Sequence, residues 1–387
     1  MYDFDRKVDR SGYSLKWDQP LYPVAQGKPL IPMWIADMDY ATPDCVLNAI
    51  RQRLEQPTFG YADPDPAFAQ AVVEWARQRR GVEDLKPEYV QYQNSTVGAI
   101  VAAIKTLTQP GEPVLVHLPN YTGFTYGIAD AGRRLVGSPL VMDDEGVFRM
   151  DLEDMEKKIV EEKIRCMILC SPHNPTGRVW EKEELEAAAA LCEKHGVSII
   201  SDEVWADFVF APARHIPTAL VSDYARENTI STYGTTKTFN LAGLRIAYSI
   251  VYGDELRAAY QKKNGENHYN VPNTLSMAAL VGAYTGGKEY TDQLLEYIYG
   301  NMKYADAYIK ENIPQVKSYL PQGTYTLWLD FGGTGRTDEE NMERMGREGL
   351  IMSPASEYNG RGWFRMNMAC PRAQVEAAVA ALKAAMA

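Results

Sequence analysis

Lys237 sits in a run of small residues, Gly234-Thr235-Thr236-Lys237-Thr238-Phe239-Asn240-Leu241-Ala242-Gly243-Leu244-Arg245. Phe239 and Leu241 on its far side would desolvate the amine, and desolvation disfavours the ammonium form. A neutral amine is what imine formation with a carbonyl compound requires. An interior lysine taken alone is most often a solvated surface residue, so the surrounding pattern has to carry the assignment. Arg245 follows Lys237 closely enough to reach a phosphate through a two-bonded fork. Asp202 ends the apolar run Val197–Ser201, where an unpaired carboxylate is costly. It needs a cation, such as a protonated ring nitrogen; a helix N-cap is the competing reading. Asn94, Ser95 and Thr96 open an apolar helix whose free N–H groups and dipole can hold a phosphate. Tyr121, in Pro119-Asn120-Tyr121-Thr122-Gly123-Phe124, could stack on a flat ring or serve the core.

The elements that must position these residues are short β-prone runs, Pro113–His117, Arg165–Cys170, Val197–Ser201, Asn228–Thr232 and Ile246–Val251. They mostly alternate with amphipathic or Ala-rich stretches, which is a βαβ rhythm. The clearest helix spans Glu183–His195, with acidic residues in its first turn and Gly196 placed to stop it. Parallel strands end on one side of a sheet, and ligands bind beyond those ends. Tyr121, Asn174, Asp202 and Lys237 follow four different strands and therefore should converge on one cleft. Toward the C-terminus, Val375, Val379, Leu382 and Met386 keep a helical spacing, and Gly323–Phe331 reads as a strand of a smaller sheet. The expected fold class is α/β: a large domain over 46–288 with a mainly parallel central sheet, plus a smaller α+β domain built from both termini, 1–45 and 289–387.

Composition narrows the function classes. The 387 residues are 45% apolar and 24% charged with a net charge of -11, which fits a globular enzyme and disfavours nucleic acid as a partner. No window approaches twenty consecutive apolar residues, and the N-terminal stretch is charged, so neither a membrane span nor a signal peptide is expected. A cytoplasmic location follows. The odd set Cys45, Cys166, Cys170, Cys192 and Cys370 reads as reduced thiols. The five histidines, His117, His173, His195, His215 and His268, lack zinc-binding spacing, so no metal is expected.

Taken together, these residues resemble the class I/II aminotransferase-like family of enzymes that use pyridoxal 5′-phosphate (PLP), and the resemblance covers nearly the whole chain. Gly234–Ala247 is similar to that family's cofactor attachment site. The resemblance implies PLP as cofactor, with Lys237 as the imine lysine and Arg245 as the phosphate arginine. Asn174, in Ser171-Pro172-His173-Asn174-Pro175-Thr176-Gly177, would donate to the cofactor's 3-oxygen. Arg365, in Gly362-Trp363-Phe364-Arg365-Met366-Asn367, would clamp the α-carboxylate of an amino-acid substrate. Four segments, Lys16-Trp17-Asp18, Pro32–Asp39, Phe59-Gly60-Tyr61 and Lys237–Leu244, resemble the MalY/PatB type of cystathionine β-lyases. In that type the tyrosine, here Tyr61, reaches the phosphate of the neighbouring subunit, which implies a homodimer with shared active sites. Trp205 and Gly234 depart from the pattern: relatives usually carry Tyr or His at the first, and many carry Ser at the second.

The chemistry so implied is general-base removal of the α-proton by Lys237, followed by loss of a sulfur leaving group from Cβ to give a thiol, pyruvate and ammonia. Transamination with a 2-oxo acid would use the same residues. A PLP-binding regulatory protein is a third reading, and the complete set of Lys237, Asp202, Asn174 and Arg365 argues against a purely non-catalytic one.

Overall fold

A computed structural model describes residues 1–268 and 270–387. Its main sheet has seven strands in the spatial order Val90–Gln93, Ala247–Ile250, Thr229–Tyr233, Ser198–Asp202, Cys166–Cys170, Pro113–Leu118 and Arg134–Pro139. The five from Thr229–Tyr233 outward pair in parallel. Cys166–Cys170 and Thr229–Tyr233 are buried along their whole length, as strands with helices on both faces must be. The helix Lys182–His195 shows how one crossover is made. Glu181 and Glu184 form a reciprocal cap at its start, Leu185, Ala188, Ala189 and Cys192 turn inward, and Gly196 takes the left-handed conformation at φ +65° to end it. The next strand follows at once.

The strand Ala247–Ile250 departs from the βαβ expectation. It lies antiparallel to both of its neighbours. The connection before it contains a turn and one 3₁₀ turn, Ala242–Leu244, in place of a helix, so the chain cannot cross over and doubles back beside the strand it has just left. Val90–Gln93 and Arg134–Pro139 were not expected as strands; the first is short with two glutamines and the second begins exposed. The expected strand ends shift by a residue or so, and Gly323–Phe331 narrows to Thr326–Asp330.

That last strand belongs to a three-stranded antiparallel sheet with Trp363–Asn367 and Ser353–Pro354. Ile31–Pro32, from the N-terminus, pairs in parallel with Leu350–Ile351. The helix Arg372–Met386 buries Val375, Val379, Leu382 and Met386, the residues its spacing singled out. The cysteines are free, and all but Cys45 are buried. Among the described residues, no helix is long and apolar enough to cross a membrane.

Candidate active site

The carboxyl ends of the central strands, the Gly234–Arg245 loop and the small antiparallel sheet enclose a cavity of about 330 Å³. Ser95, Thr96, Tyr121, Asn174, Asp202, Trp205, Lys237, Arg245 and Arg365 all line it. Nine of the eleven residues expected from sequence are thus brought together. Asn94 lies behind the wall: its side chain accepts from the Tyr92 hydroxyl at 2.9 Å and its N–H donates to Asn270 Oδ1 at 2.8 Å. Tyr61 is fully exposed on an irregular segment and does not reach this chain's cavity.

Lys237 Nζ donates to the Ala36 carbonyl at 2.8 Å and stands 5.1 Å from the centre of the Trp205 ring. Burial, reinforced by the nearby Arg365 cation, lowers its pKa to about 8. Asp202 is buried at the strand end and accepts one N–H, from Val204 at 3.2 Å. No helix follows, so its bond closes a turn and the N-cap reading fails. Burial pushes its carboxyl up to about 7, and among the described residues it has no ion-pair partner. A cationic ring nitrogen is what such a carboxylate lacks.

Ser95, Thr96 and Arg245, the residues expected from sequence to hold a phosphate, line one part of the cavity. Ser95 caps the helix Thr96–Leu107 through the Gly98 N–H, and Ser95, Thr96 and Val97 at that helix start line the cavity. Arg245 adopts the left-handed region at φ 55°. Tyr121 packs edge-on against Phe124 with centroids 5.5 Å apart. Gly123 permits this, because a Cβ there would fall 2.3 Å from the Tyr121 ring.

Arg365 comes from the small sheet. Its Nη1 donates to Asn174 Oδ1 at 3.0 Å and its Nη2 to the Trp34 carbonyl at 2.9 Å, over the Tyr358 ring at 4.9 Å. Among the described residues, its Nε is buried without a hydrogen-bond partner. A buried orphan donor on a guanidinium fits an anionic ligand such as a carboxylate. By accepting from Arg365, Asn174 Oδ1 also leaves the amide nitrogen as the donor toward the cavity.

Sequence reasoning missed the contacts that hold this arrangement in place. The segment 34–38 runs along the cavity as a strap, its Trp34 and Ala36 carbonyls binding Arg365 and Lys237. Tyr325 adds a second donor to the Ala36 carbonyl at 2.8 Å. Asn240 bonds both ways with Met38, and Asn367 Nδ2 donates to the Ile35 and Asp37 carbonyls. Behind the strap, Asp39 accepts from Lys16 at 2.7 Å, Arg10 at 2.8 Å, Trp17 at 2.9 Å and Gln374 at 3.1 Å. The motifs Lys16-Trp17-Asp18 and Pro32–Asp39 were visible in sequence; only the fold shows that they bind each other. Glu357 and Tyr358, in the 3₁₀ turn Ala355–Tyr358, gave no signal at all.

The profile of aminotransferase class I and II matches residues 28–382. The chain belongs to that family. Within it, the chain is 34% identical to cystathionine beta-lyase PatB of Bacillus subtilis (strain 168), over 99% of this chain and 100% of PatB. It is 32% identical to protein MalY of Escherichia coli (strain K12), over 99% of this chain and 98% of MalY. The PLP-bound C–S lyase of Staphylococcus hominis superposes with a TM-score of 0.90 at 28% identity, covering 100% of this chain and 99% of that one. Aminotransferase class I and II membership agrees with the donor set: a buried carboxylate, a desolvated lysine, a helix start and an arginine with a buried, unsatisfied Nε share one cavity.

Proposed function

We propose that this chain is a PLP-dependent carbon–sulfur β-lyase that cleaves cystathionine or related cysteine S-conjugates to a thiol, pyruvate and ammonia. One observation carries the reading: Lys237, Asp202, Asn174 and Arg365, from four separate segments, face a single cavity in a chain similar over its full length to a cystathionine beta-lyase. When bound, PLP supplies a protonated ring system able to absorb the electron pair left as the α-proton departs. Asp202 would hold the ring nitrogen protonated, Asn174 would donate to the 3-oxygen, and Ser95, Thr96 and Arg245 would hold the phosphate. Arg365 would take the substrate α-carboxylate in its fork, setting the α-carbon beside Lys237. Lys237 Nζ, whose ammonium form burial disfavours, is placed to accept the α-proton and to return it to the leaving sulfur. Tyr121 would keep the ring plane, and the Trp205 ring, 5.1 Å from Lys237 Nζ, would flank the lysine.

The working unit in this reading is a homodimer. Leu54, Phe59 and Tyr61 are exposed on one stretch of chain, and a second copy would cover them and receive Tyr61 at its phosphate site. Inactive Lys237→Ala and Tyr61→Ala chains should then restore some activity on mixing, because one site of each mixed dimer is complete. The two-domain division at 45/46 and 288/289 and a cytoplasmic location, supported by the acidic composition and the free cysteines, belong to the same reading.

The test is product analysis. With L-cystathionine and no 2-oxo acid, the purified protein should release pyruvate and thiol over many turnovers. An aminotransferase would stop after one half-reaction, so dependence of sustained turnover on added 2-oxo acid would overturn the lyase reading.

A further inference from the structure

Five charged side chains line the cavity: Asp202, Lys237, Arg245, Glu357 and Arg365. The reading above gives four of them a task, and Glu357 is left. It stands in the 3₁₀ turn Ala355–Tyr358, on the same wall as Arg365. Tyr358, its neighbour in sequence, carries the Arg365 guanidinium on its ring. Glu357 is half-buried and forms no ion pair among the described residues. Burial raises its pKa, against the pull of Arg365. A carboxylate facing a ligand cavity without a salt bridge offers its charge to whatever enters.

An amino acid whose α-carboxylate is on Arg365 and whose α-carbon is beside Lys237 must send its sulfur substituent into the rest of the cavity. The aromatic and apolar lining there, Trp34, Ile35 and Tyr358, accepts a methylene chain, and Glu357 is the acidic group on that lining. We infer that Glu357 is a specificity residue selecting cysteine S-conjugates whose leaving thiol ends in an ammonium group, as the distal amine of cystathionine does. A neutral S-alkyl chain would leave the half-buried carboxylate uncompensated, and an anionic one would be repelled.

This inference rests on the lyase reading and is tested so that the two can fail separately. S-(2-aminoethyl)-L-cysteine and S-propyl-L-cysteine are close in size and differ by one charge. The holoenzyme with its cofactor fixed to Lys237 by borohydride reduction cannot turn over, so calorimetric titration reads binding alone. The wild-type chain should bind the aminoethyl compound about 10- to 100-fold more tightly than the propyl one, the range expected for one charge-assisted hydrogen bond. Glu357→Gln should collapse that ratio toward one, and Glu357→Asp should retain part of it. In turnover, the ratio of kcat/KM for the two compounds should follow the binding ratio. Should Glu357→Gln weaken both compounds equally, the residue acts through Arg365 and the inference is overturned; it is overturned as well if the wild-type chain shows no preference. Absence of pyruvate from either compound, with the binding preference intact, would defeat the lyase reading while the selection of a cationic side chain by Glu357 still held.

Discussion

The charge cluster behind the strap makes a prediction about unequal partners. Asp39 is the hub, with two cations, an indole N–H and an amide on its two oxygens. Lys16 is wholly buried, and without Asp39 it would keep only the Asp37 carbonyl at 3.2 Å and Asp37 Oδ1 at 3.7 Å. Removing one partner of a buried pair costs about 3–5 kcal/mol, and Asp39→Ala should reach that range. Lys16→Met fills the same space and leaves Asp39 with Arg10, Trp17 and Gln374, so it should cost about 1.5–3 kcal/mol, the worth of one charge-assisted bond. Because the strap carries the Trp34 and Ala36 carbonyls, Asp39→Ala should also raise KM for the amino-acid substrate more than Lys16→Met does. Burial alone would raise the Asp39 pKa, but Lys16 and Arg10 hold it below the usual carboxylate range. Its contribution is therefore present above the unfolded value near 3.9 and is lost as pH falls through the lower folded value. Thermal unfolding of the holoenzyme and both variants between pH 3 and 7, with steady-state kinetics alongside, checks this. Equal destabilisation by the two substitutions, or an unaltered acid limb in Asp39→Ala, would refute the hub.

Three further outcomes follow from the site. Asp202, with its pKa raised to about 7 by burial, should make the cofactor-free chain lose stability as pH rises from about 4 through 7; Tm against pH should show that slope, and Asp202→Asn should abolish it. Arg365→Lys gives up the planar fork and should lower kcat/KM by about 10- to 100-fold, mainly through KM; a loss confined to kcat would count against a substrate-carboxylate role. Gly177, at φ +71°, has no room for a Cβ, which would sit 2.4 Å from Pro321 Cβ and 2.9 Å from the Gly323 carbonyl, so Gly177→Ala should destabilise by about 1–3 kcal/mol, read by denaturant unfolding.

The residues that line the cavity were readable from the chain because each is tied to a local signal. Lys237 and Arg245 share one loop, Asp202 ends an apolar run, and Ser95 and Thr96 begin a helix; short-range rules of burial, capping and strand ends place all of them. The amphipathic helices Lys182–His195 and Arg372–Met386 were readable for the same reason, since periodicity is a local property. The strap was not. Its carbonyls carry no side-chain signature, and Ala36 meets Lys237 only because a terminal segment crosses to the mouth of the main sheet. Glu357 was silent, since one acid in a polar turn looks like any solvated residue until the small sheet turns it toward Arg365. The antiparallel run of Ala247–Ile250 was equally hidden: a buried strand has the same composition in either direction, and its direction was decided by a connection whose residues are committed to the site in place of a crossover helix. Sequence alone therefore determined which groups could do the chemistry, whereas the tertiary fold decided what holds them in position and which wall the substrate meets, because those contacts join residues hundreds of positions apart.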